Sequence, residues 1–594
     1  MPAYSAPVAD MRFVLHELLA HEQIEALPGN EDFTPDVLNA VLDEAGRFCS
    51  TVLQPLNRSG DEQGCRLENG VVRTPDGFKQ AYEDFIAAGW TGLAADSEHG
   101  GQGLPATMDA LFTEMLCSSN LSFAMYPGLS HGAYKLIRRH GNEEQKKTWL
   151  PPLVEGRWSG TMCLTEPQCG TDLGLIRANA TPQTDGSYVI NGAKCFISAG
   201  EHDLTENIVH LVLARTPDAP AGTRGLSVFL VPKFQVKADG SIGARNGVTC
   251  GSIEHKMGIN ASATCTLNFD DAKGFLIGEL HQGMRAMFTM MNGARLAVAV
   301  HGLGIAEAAY QGAVAYAKER RQGRALVTSQ SPEESADLIL VHPDVRRMLL
   351  SMRSQIEGAR ALSSWVAARY VHSQRNTDAR ARQDADDFVS LLTPVIKAYC
   401  TDMGSEAANL GVQIYGGHGY IREHGMEQFV RDARICQIYE GSNGVQAMDL
   451  VGRKLPAHAG RYLRQFFQPV AAFIESRAED PALAEFVGPL SKAFVRLQKA
   501  SAWVAANGLR DANEAGAAAS DYLRLFALVA MAYLWARMAE IALAHQSSDD
   551  GGFYRAKLNT ARYFMQRVLP QSSALFACIV AGGESIMGFD DDDF

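Results

Sequence analysis

The sequence predicts an α+β protein in which one β domain interrupts a largely helical chain. Up to about Leu153, apolar residues recur at spacings of three and four, which is typical of amphipathic helices. Short runs rich in valine, isoleucine and phenylalanine begin near Thr161, and helical spacing returns after about Phe275. We therefore expect four domains, at residues 1–160, 161–275, 276–455 and 456–594.

Length and composition limit the class of protein. A chain of 594 residues is longer than a single hydrophobic core usually covers, and it has room to bury a large cofactor. The formal net charge of -13 argues against binding to a phosphate backbone, so nucleic acid is not an expected partner. The 11 cysteines are scattered singly and form no metal-binding pattern, so we expect no metal.

Nothing in the sequence predicts export or a membrane span. The first residues carry neither a basic nor an apolar signal region, so we expect a cytoplasmic protein. The longest apolar run, 525–536, is shorter than the ~20 residues that a membrane-spanning helix needs. We expect it to form a buried helix and expect no integral membrane segment.

The first two domains differ in their periodicity. Residues 35–53 and 107–117 show helical spacing. The β domain is predicted from five apolar runs, at 188–190, 195–197, 208–213, 226–231 and 265–269. Asn191-Gly192, between the first two runs, predicts a tight hairpin.

The last two domains are predicted to be helical. Helical runs in the third domain cover 294–320, 343–372 and 386–410. In the extension they cover 462–477, 482–506, 517–545 and 553–568. The chain ends in an acidic stretch, 590–593, which we expect to be solvated.

Residues 438–444 contain a single carboxylate, Glu440, between Tyr439 and a glycine-rich turn. A carboxylate in such a place can act as a general base. The other interpretation is a helix that ends with an exposed glutamate, because Gly441 and Gly444 are ordinary stop signals.

Two other segments can bind a ligand. Residues 162–172 combine two threonines with a proline and a glycine, which suits a flavin or a pyrophosphate but equally a capped turn. The glycines of 413–420 can hold a phosphate or simply end a helix.

These three segments, in this order, resemble the signatures of the acyl-CoA dehydrogenase family. The resemblance covers about residues 1–455, and the extension is similar to the subgroup that contains very-long-chain enzymes and 3-methylmercaptopropionyl-CoA dehydrogenases. It implies a helical N-terminal domain, a central β-barrel-like domain, a C-terminal four-helix bundle and a helical C-terminal extension, with FAD as cofactor.

The resemblance also implies an activity. We expect α,β-dehydrogenation of a medium-to-long-chain fatty acyl-CoA to the trans-2-enoyl-CoA, as in fatty acid β-oxidation, with electrons passed to an electron-transferring flavoprotein. The alternatives are a 3-methylmercaptopropionyl-CoA dehydrogenase and an acyl-CoA oxidase. A flavoprotein that binds nucleic acid is disfavoured, because acidic residues balance basic ones in the extension. The family's flavin contacts between subunits imply a homodimer.

The family's site residues carry over to matching positions. Glu440 matches the catalytic base, and Ala294 occupies the position from which some relatives take their base instead. The remaining substrate-binding positions are Thr171, Asn292, Arg295 and Gly441. The cofactor-binding positions are Met162, Leu164, Thr165, Thr171, Phe196, Ser198, Arg320, Gln413, Gly416, Gly417, Ser442 and Asn443.

Three positions depart from the family pattern. Phe196 stands where a tryptophan is usual, and Gln428 stands where a basic residue is usual. The phenylalanine that usually follows Arg320 is missing, so Arg321 is the alternative pyrophosphate ligand.

Overall fold

The computed structural model of the chain describes residues 2–549 and 551–594. The part before the central sheet is mainly helical, as predicted. Its α-helices are α1 (Val8–Arg12), α2 (Pro35–Phe48), α3 (Pro55–Gln63), α4 (Phe78–Ala87), α5 (Ala106–His140) and α6 (Glu143–Val154).

A small hairpin that the periodicity did not predict follows α3. Its strands are β1 (Arg66–Glu68) and β2 (Val71–Arg73), which pair in antiparallel fashion. The two residues between them, Asn69 and Gly70, have φ angles of 51° and 77°. Both are left-handed, as the tightest class of hairpin turn requires.

The central sheet closes on itself, which confirms the barrel-like domain. Its strands are β3 (Trp158–Cys163), β4 (Asn179–Pro182), β5 (Tyr188–Ser198), β6 (Asn207–Arg215), β7 (Leu226–Pro232), β10 (Val248–Ile253) and β11 (Thr264–Ile277), and a separate ribbon joins β8 (Phe234–Val236) to β9 (Ile242–Arg245). Pairing runs from β11 through β5, β4, β6 and β7 back to β11. Buried side chains such as Ile190, Leu211 and Phe229 form its core.

The hairpin predicted at Asn191-Gly192 is wrong. These residues lie inside β5, which continues without a turn to Ser198. The pairing of β5 with β11 is irregular here, and Asn191 Nδ2 donates to Asp271 Oδ1 at 3.0 Å. A Cβ on Gly192 would lie 2.9 Å from that of Ala178, so this glycine admits a neighbouring backbone rather than a turn.

Long helices follow the sheet, as predicted. They are α7 (Gly283–Glu319), α8 (Pro343–Arg375), α9 (Ala379–Tyr415), α10 (Met426–Cys436) and α11 (Asn443–Asp449). Helix α7 begins before its predicted start at residue 294. Helices α8 and α9 bury most of their length, and Tyr399 donates to Gln355 across them at 2.9 Å.

The extension is helical over its predicted runs except at residues 482–483 and 545, which are turns. Its helices are α12 (Arg461–Arg477), α13 (Ala484–Gly508), α14 (Ala512–Ala544), α15 (Phe553–Tyr563), α16 (Gln571–Val580) and α17 (Glu584–Met587). The apolar run 525–536 lies in α14 and is buried, as predicted. Among the described residues α14 alone is long and apolar enough to cross a membrane, and 83% of its apolar window is buried in the protein.

The chain forms two compact units. The first contains residues 1–47, 105–118 and 298–594, and the second contains residues 48–104 and 119–297. In the first unit, Trp535 of α14 donates to Ser354 O on α8 at 3.0 Å, so the extension packs on the bundle.

A cluster of buried charges joins the extension to the rest of the first unit. We call it the buried ion cluster, and it consists of Asp10, Glu114, Glu307, Glu357, Arg360 and Lys557. Arg360 Nη2 lies 2.5 Å from Glu114 and 2.6 Å from Glu307, while Lys557 Nζ lies 2.6 Å from Glu357. Asp10 contacts both Arg360 and Lys557.

Candidate functional site

Glu440 lies in a sharp turn of the first unit, between α10 and α11. We call residues 437–443 the Glu440 turn. Glu440 has a φ of 56° and Gly441 a φ of 89°, so two consecutive residues adopt the left-handed conformation. A non-glycine residue in this region is strained, and such strain is common at functional sites. The Glu440 residue is half-buried, which is compatible with a positioned base.

Two buried side chains hold the backbone of this turn. Gln446 Nε2 donates to Glu440 O at 3.0 Å, and Lys397 Nζ donates to Gly441 O at 2.7 Å. Gln446 and Lys397 are each 0% exposed. Sequence reasoning missed both, although a lone lysine inside the apolar stretch 391–400 is the signal that could have found Lys397.

Asn443, predicted to contact the cofactor, uses its side chain within the protein. Its Oδ1 accepts from Lys397 Nζ at 2.9 Å, while its Nδ2 donates to Asp402 at 2.7 Å and to Thr401 at 3.0 Å. These bonds fix the start of α11 on α9. Ser442, the N-cap residue of α11, makes no capping bond with its side chain.

Tyr439 connects the turn to α7. Its hydroxyl lies 2.7 Å from His301 Nδ1. Burial lowers the pKa of His301 to about 4 and raises the pKa of Tyr439 well above its usual range. Both groups are therefore neutral at neutral pH, and this pair adds no net charge to the Glu440 turn.

The other predicted cofactor residues of the first unit are exposed. Arg320 follows the end of α7, and Gln413, Gly416 and Gly417 lie at the end of α9. Gly416 combines a φ of 61° with a ψ of -139°, which only glycine adopts readily. A Cβ on Gly416 or Gly417 would meet nothing within 4 Å, so an approaching ligand can reach this backbone.

In the second unit, residues 164–172 follow β3 and form a loop that we call the Glu166 loop. Lys194 of β5 donates to Leu164 O at 3.0 Å and to Glu166 Oε1 at 2.7 Å. The carboxylate of Glu166 also accepts from the backbone N–H groups of Arg177 and Ala178, at 2.8 and 3.0 Å. Lys194 and Glu166, which sequence reasoning did not single out, therefore fix the shape of the loop.

The Glu166 loop lies against the end of β5. Cys195 N donates to Thr165 O at 3.0 Å, which brings Leu164 and Thr165 beside the strand that carries Phe196 and Ser198. Phe196 has a φ of 58° and is 63% exposed. A large aromatic side chain held outward in a strained conformation suits a flat ligand.

The remaining predicted residues of the second unit lie on different elements and differ in how far they are exposed to solvent. Met162 is half-buried at the end of β3, and Thr171 is exposed. On α7, Arg295 is half-buried and its Nη1 lies 3.5 Å from Asn292 Oδ1. Ala294 has no ionisable group, so this position cannot supply a base.

These residues fit FAD within each unit. The first unit offers open glycine backbone and an exposed arginine, both suited to phosphate groups. The second offers an outward aromatic ring beside the hydroxyls of Thr165 and Ser198. Each set of residues, taken by itself, is compatible with a flavin-dependent oxidoreductase.

Four family profiles match the chain in the expected order. They are the acyl-CoA dehydrogenase N-terminal domain at 36–157, the middle domain at 161–272, the C-terminal domain at 281–455 and the "Acetyl-CoA dehydrogenase C-terminal like" domain at 466–590. The chain therefore belongs to the acyl-CoA dehydrogenase family. It is an FAD-dependent oxidoreductase that acts on CH–CH groups.

Full-length relatives agree with this assignment. A 3-methylmercaptopropionyl-CoA dehydrogenase of Ruegeria pomeroyi is 44% identical over 98% of this chain and 99% of its own. The broad-specificity linear acyl-CoA dehydrogenase FadE5 of Mycobacterium tuberculosis is 32% identical over the whole of both chains, 100% in each case. An acyl-CoA dehydrogenase of Bacillus anthracis, solved with FAD, has a TM-score of 0.75, with 21% identity over 94% of this chain and 90% of its own.

Proposed function

We propose that this acyl-CoA dehydrogenase acts on a linear acyl-CoA, with 3-methylmercaptopropionyl-CoA as the first candidate substrate, and that Glu440 removes its α proton. Similarity over nearly the full length to the Ruegeria pomeroyi relative supports the thioether substrate. The medium-to-long-chain substrate expected from the sequence is the second candidate. Similarity to the broad-specificity relative FadE5 supports it.

The observation that carries the proposal is the conformation of the Glu440 turn. A thioester α proton is weakly acidic, so a base must be held close to it and in a fixed orientation. The left-handed turn at Glu440 and the bonds to its backbone supply such an orientation. Arg295 and Asn292 of α7, with Thr171 and Gly441, are the proposed substrate contacts.

Bound FAD would supply the acceptor for the hydride from the β carbon. The proposed protein contacts are the Glu166 loop, Phe196 and Ser198 in one unit. In the other unit they are Arg320, Ser442, Asn443 and the glycine segment at 416–417. Asn443 would contribute its backbone, because its side chain is bonded to α9 and to Lys397.

Replacing the base tests the central claim. Glu440→Gln keeps the shape of the side chain but cannot accept a proton, so flavin reduction by substrate should fall by at least about 1,000-fold. The FAD content and the affinity for acyl-CoA should stay close to those of the wild type. Stopped-flow bleaching of the flavin under anaerobic conditions measures the rate. Turnover retained within about tenfold would disprove the role of Glu440.

The substrate is tested by the same bleaching reaction. The panel contains 3-methylmercaptopropionyl, butanoyl, octanoyl and hexadecanoyl thioesters of CoA. Fastest bleaching by the thioether substrate would support the first candidate, and fastest bleaching by octanoyl- or hexadecanoyl-CoA would support the second. A flavoprotein that none of them bleaches would contradict the proposal.

The electron acceptor and the cellular setting belong to the same proposal. We infer transfer to an electron-transferring flavoprotein in β-oxidation, in the cytoplasm. Peroxide released in air at the rate of substrate oxidation would instead indicate the acyl-CoA oxidase.

Exposed Gln413, Gly416 and Gly417 suit contact with the cofactor of a second subunit, so we propose a homodimer. Light scattering tests this oligomeric state. Limited proteolysis tests the proposed domain boundaries near residues 160, 275 and 455.

A further inference from the structure

We infer that Lys397 is a positioning residue for the proton-transfer step, acting through the backbone of the Glu440 turn. This inference rests on the proposed role of Glu440 as the base. Lys397 is fully buried in α9, and it bonds to the residue that directly follows Glu440.

The first argument is the way in which the turn is held. Its two consecutive left-handed residues each have their carbonyl bound by a buried side chain: Glu440 O by Gln446 and Gly441 O by Lys397. With both carbonyls fixed, the peptide plane that joins Glu440 to Gly441 cannot rotate freely. The direction in which the Glu440 side chain leaves the backbone is fixed with it.

The second argument is the choice of a lysine. Charge-assisted hydrogen bonds are shorter and stronger than neutral ones, and a buried ammonium group needs several acceptors. Lys397 Nζ reaches Gly441 O at 2.7 Å and Asn443 Oδ1 at 2.9 Å. One ammonium group therefore ties the end of the turn to the first residue of α11.

The third argument is the rigidity of the helix that carries Lys397. Helix α9 spans Ala379–Tyr415, and its segment around Lys397 is buried. One turn further along the same helix, Thr401 and Asp402 bind the amide of Asn443 at 3.0 and 2.7 Å. The turn thus rests on a fixed row of side chains. A shift of about 1 Å in a reacting group can cost about 100-fold in rate, so this support matters for the chemistry.

The test measures proton abstraction without hydride transfer. In a 3-thiaacyl-CoA the β position is sulfur, so no β hydrogen is available, but the α protons remain. In D₂O the enzyme should exchange these α protons for deuterium, and mass spectrometry of the analogue measures the rate. The affinity for the analogue, the FAD content and the melting temperature are measured in parallel on the intact holoenzyme.

The decisive variant is Lys397→Met, which keeps an unbranched side chain of nearly the same length, one atom shorter than that of lysine, and removes the donor. We expect exchange to slow by about 100-fold, while the affinity for the analogue changes by less than about threefold. The matched control is Thr393→Val on the same helix, whose buried hydroxyl donates to Val389 O within α9, at 2.7 Å. This control should lower the melting temperature but leave the exchange rate unchanged.

The outcomes separate this inference from the proposed function. If Glu440→Gln exchanges α protons at the wild-type rate, the assignment of the base fails. If Glu440→Gln is inactive but Lys397→Met exchanges within about twofold of the wild type, only the role of Lys397 is overturned. If Lys397→Met does not fold, Lys397→Gln decides by the same criterion, because its side chain is uncharged and its amide ends one atom short of the lysine ammonium group.

Discussion

The Glu166 loop and the Glu440 turn are each stabilised by a buried lysine, and the two lysines bind different groups. Lys194 donates to Leu164 O at 3.0 Å and forms an ion pair at 2.7 Å with Glu166, a carboxylate that belongs to the loop itself. Lys397 binds the Glu440 turn through a backbone carbonyl, at 2.7 Å. A loop that only has to keep its shape can use its own carboxylate for support. A turn that presents a reacting carboxylate is better supported through its backbone, so that the support does not consume the acid group.

The pKa shifts of Lys194 and Glu166 are consistent with an ion pair that stabilises the Glu166 loop. Burial lowers the pKa of Lys194, and the charge of Glu166 acts in the opposite direction. Burial acts to raise the pKa of Glu166, but Lys194 and two backbone N–H groups outweigh it and lower that pKa. Glu166 therefore stays ionised at neutral pH, and its lowered pKa makes it a weak base.

The largest effect is expected from breaking the ion pair of the Glu166 loop. Lys194→Met leaves the carboxylate of Glu166 buried without its cation, which should destabilise the protein by about 3–5 kcal/mol and release FAD. Urea unfolding and the ratio of flavin to protein absorbance measure both results. The double variant Lys194→Met/Glu166→Gln should recover part of the stability. If Lys194→Met alone keeps its FAD and its stability, Lys194 does not stabilise its loop in the way proposed for Lys397.

A smaller effect, on the cofactor alone, is expected from Arg320→Ala. Arg320 is exposed and makes a charge-assisted contact with the flavin pyrophosphate in our proposal, so FAD should bind about 10- to 100-fold more weakly. At saturating FAD, α-proton exchange should match that of the wild type. The neighbouring exposed Lys318→Ala is the control and should retain FAD. Unchanged FAD affinity in Arg320→Ala, with a loss in Arg321→Ala, would move the assignment to Arg321.

The smallest effect concerns the dependence of stability on pH. Burial lowers the pKa of His301 from 6.5 to about 4, so the folded protein binds this proton less readily than the unfolded chain does. The contribution is fully present above pH 6.5 and is lost as the pH falls toward 4. By pH 5, about 2 kcal/mol of this contribution has been lost.

Urea unfolding of His301→Gln at pH 7 and pH 5 checks this prediction, and the variant should lose less stability on acidification than the wild type. His202 and His210, buried in the sheet of the second unit, have pKa values lowered by burial to about 3. They should therefore continue to destabilise the protein below pH 4, where His301 no longer contributes. An identical pH profile in the variant would mean that His301 binds its proton equally well in the folded and unfolded states.

Periodicity and motif order were enough to predict the α+β architecture and the family, but they could not predict individual turns. The Asn-Gly pair at 69–70 forms a hairpin, whereas the pair at 191–192 lies within a strand. The difference is tertiary, because a neighbouring backbone packs on Gly192 and Asn191 bonds to Asp271. The dipeptide alone does not carry that information.

The candidate base could be predicted from its own segment, but its supports could not. Lys397 precedes Glu440 by a whole helix and a loop, and Lys194 lies in a strand after the loop it holds. Each looked like one polar residue in an apolar stretch. Only the folded chain reveals that their ammonium groups reach Gly441 O and the Glu166 carboxylate.

The buried ion cluster makes the two ends of the chain depend on each other. Lys557 of α15 and Arg360 of α8 both bind Asp10, close to the amino terminus. A shortened protein that ended near residue 455 would lose Lys557, leaving Glu357 and Asp10 short of positive charge, and it would uncover the face of α8 on which Trp535 packs. We therefore do not expect that deleting the extension alone would give a stable protein consisting of the first three predicted domains. We expect the shortened protein to be unstable, because it would keep the buried carboxylates of Glu357 and Asp10 without Lys557.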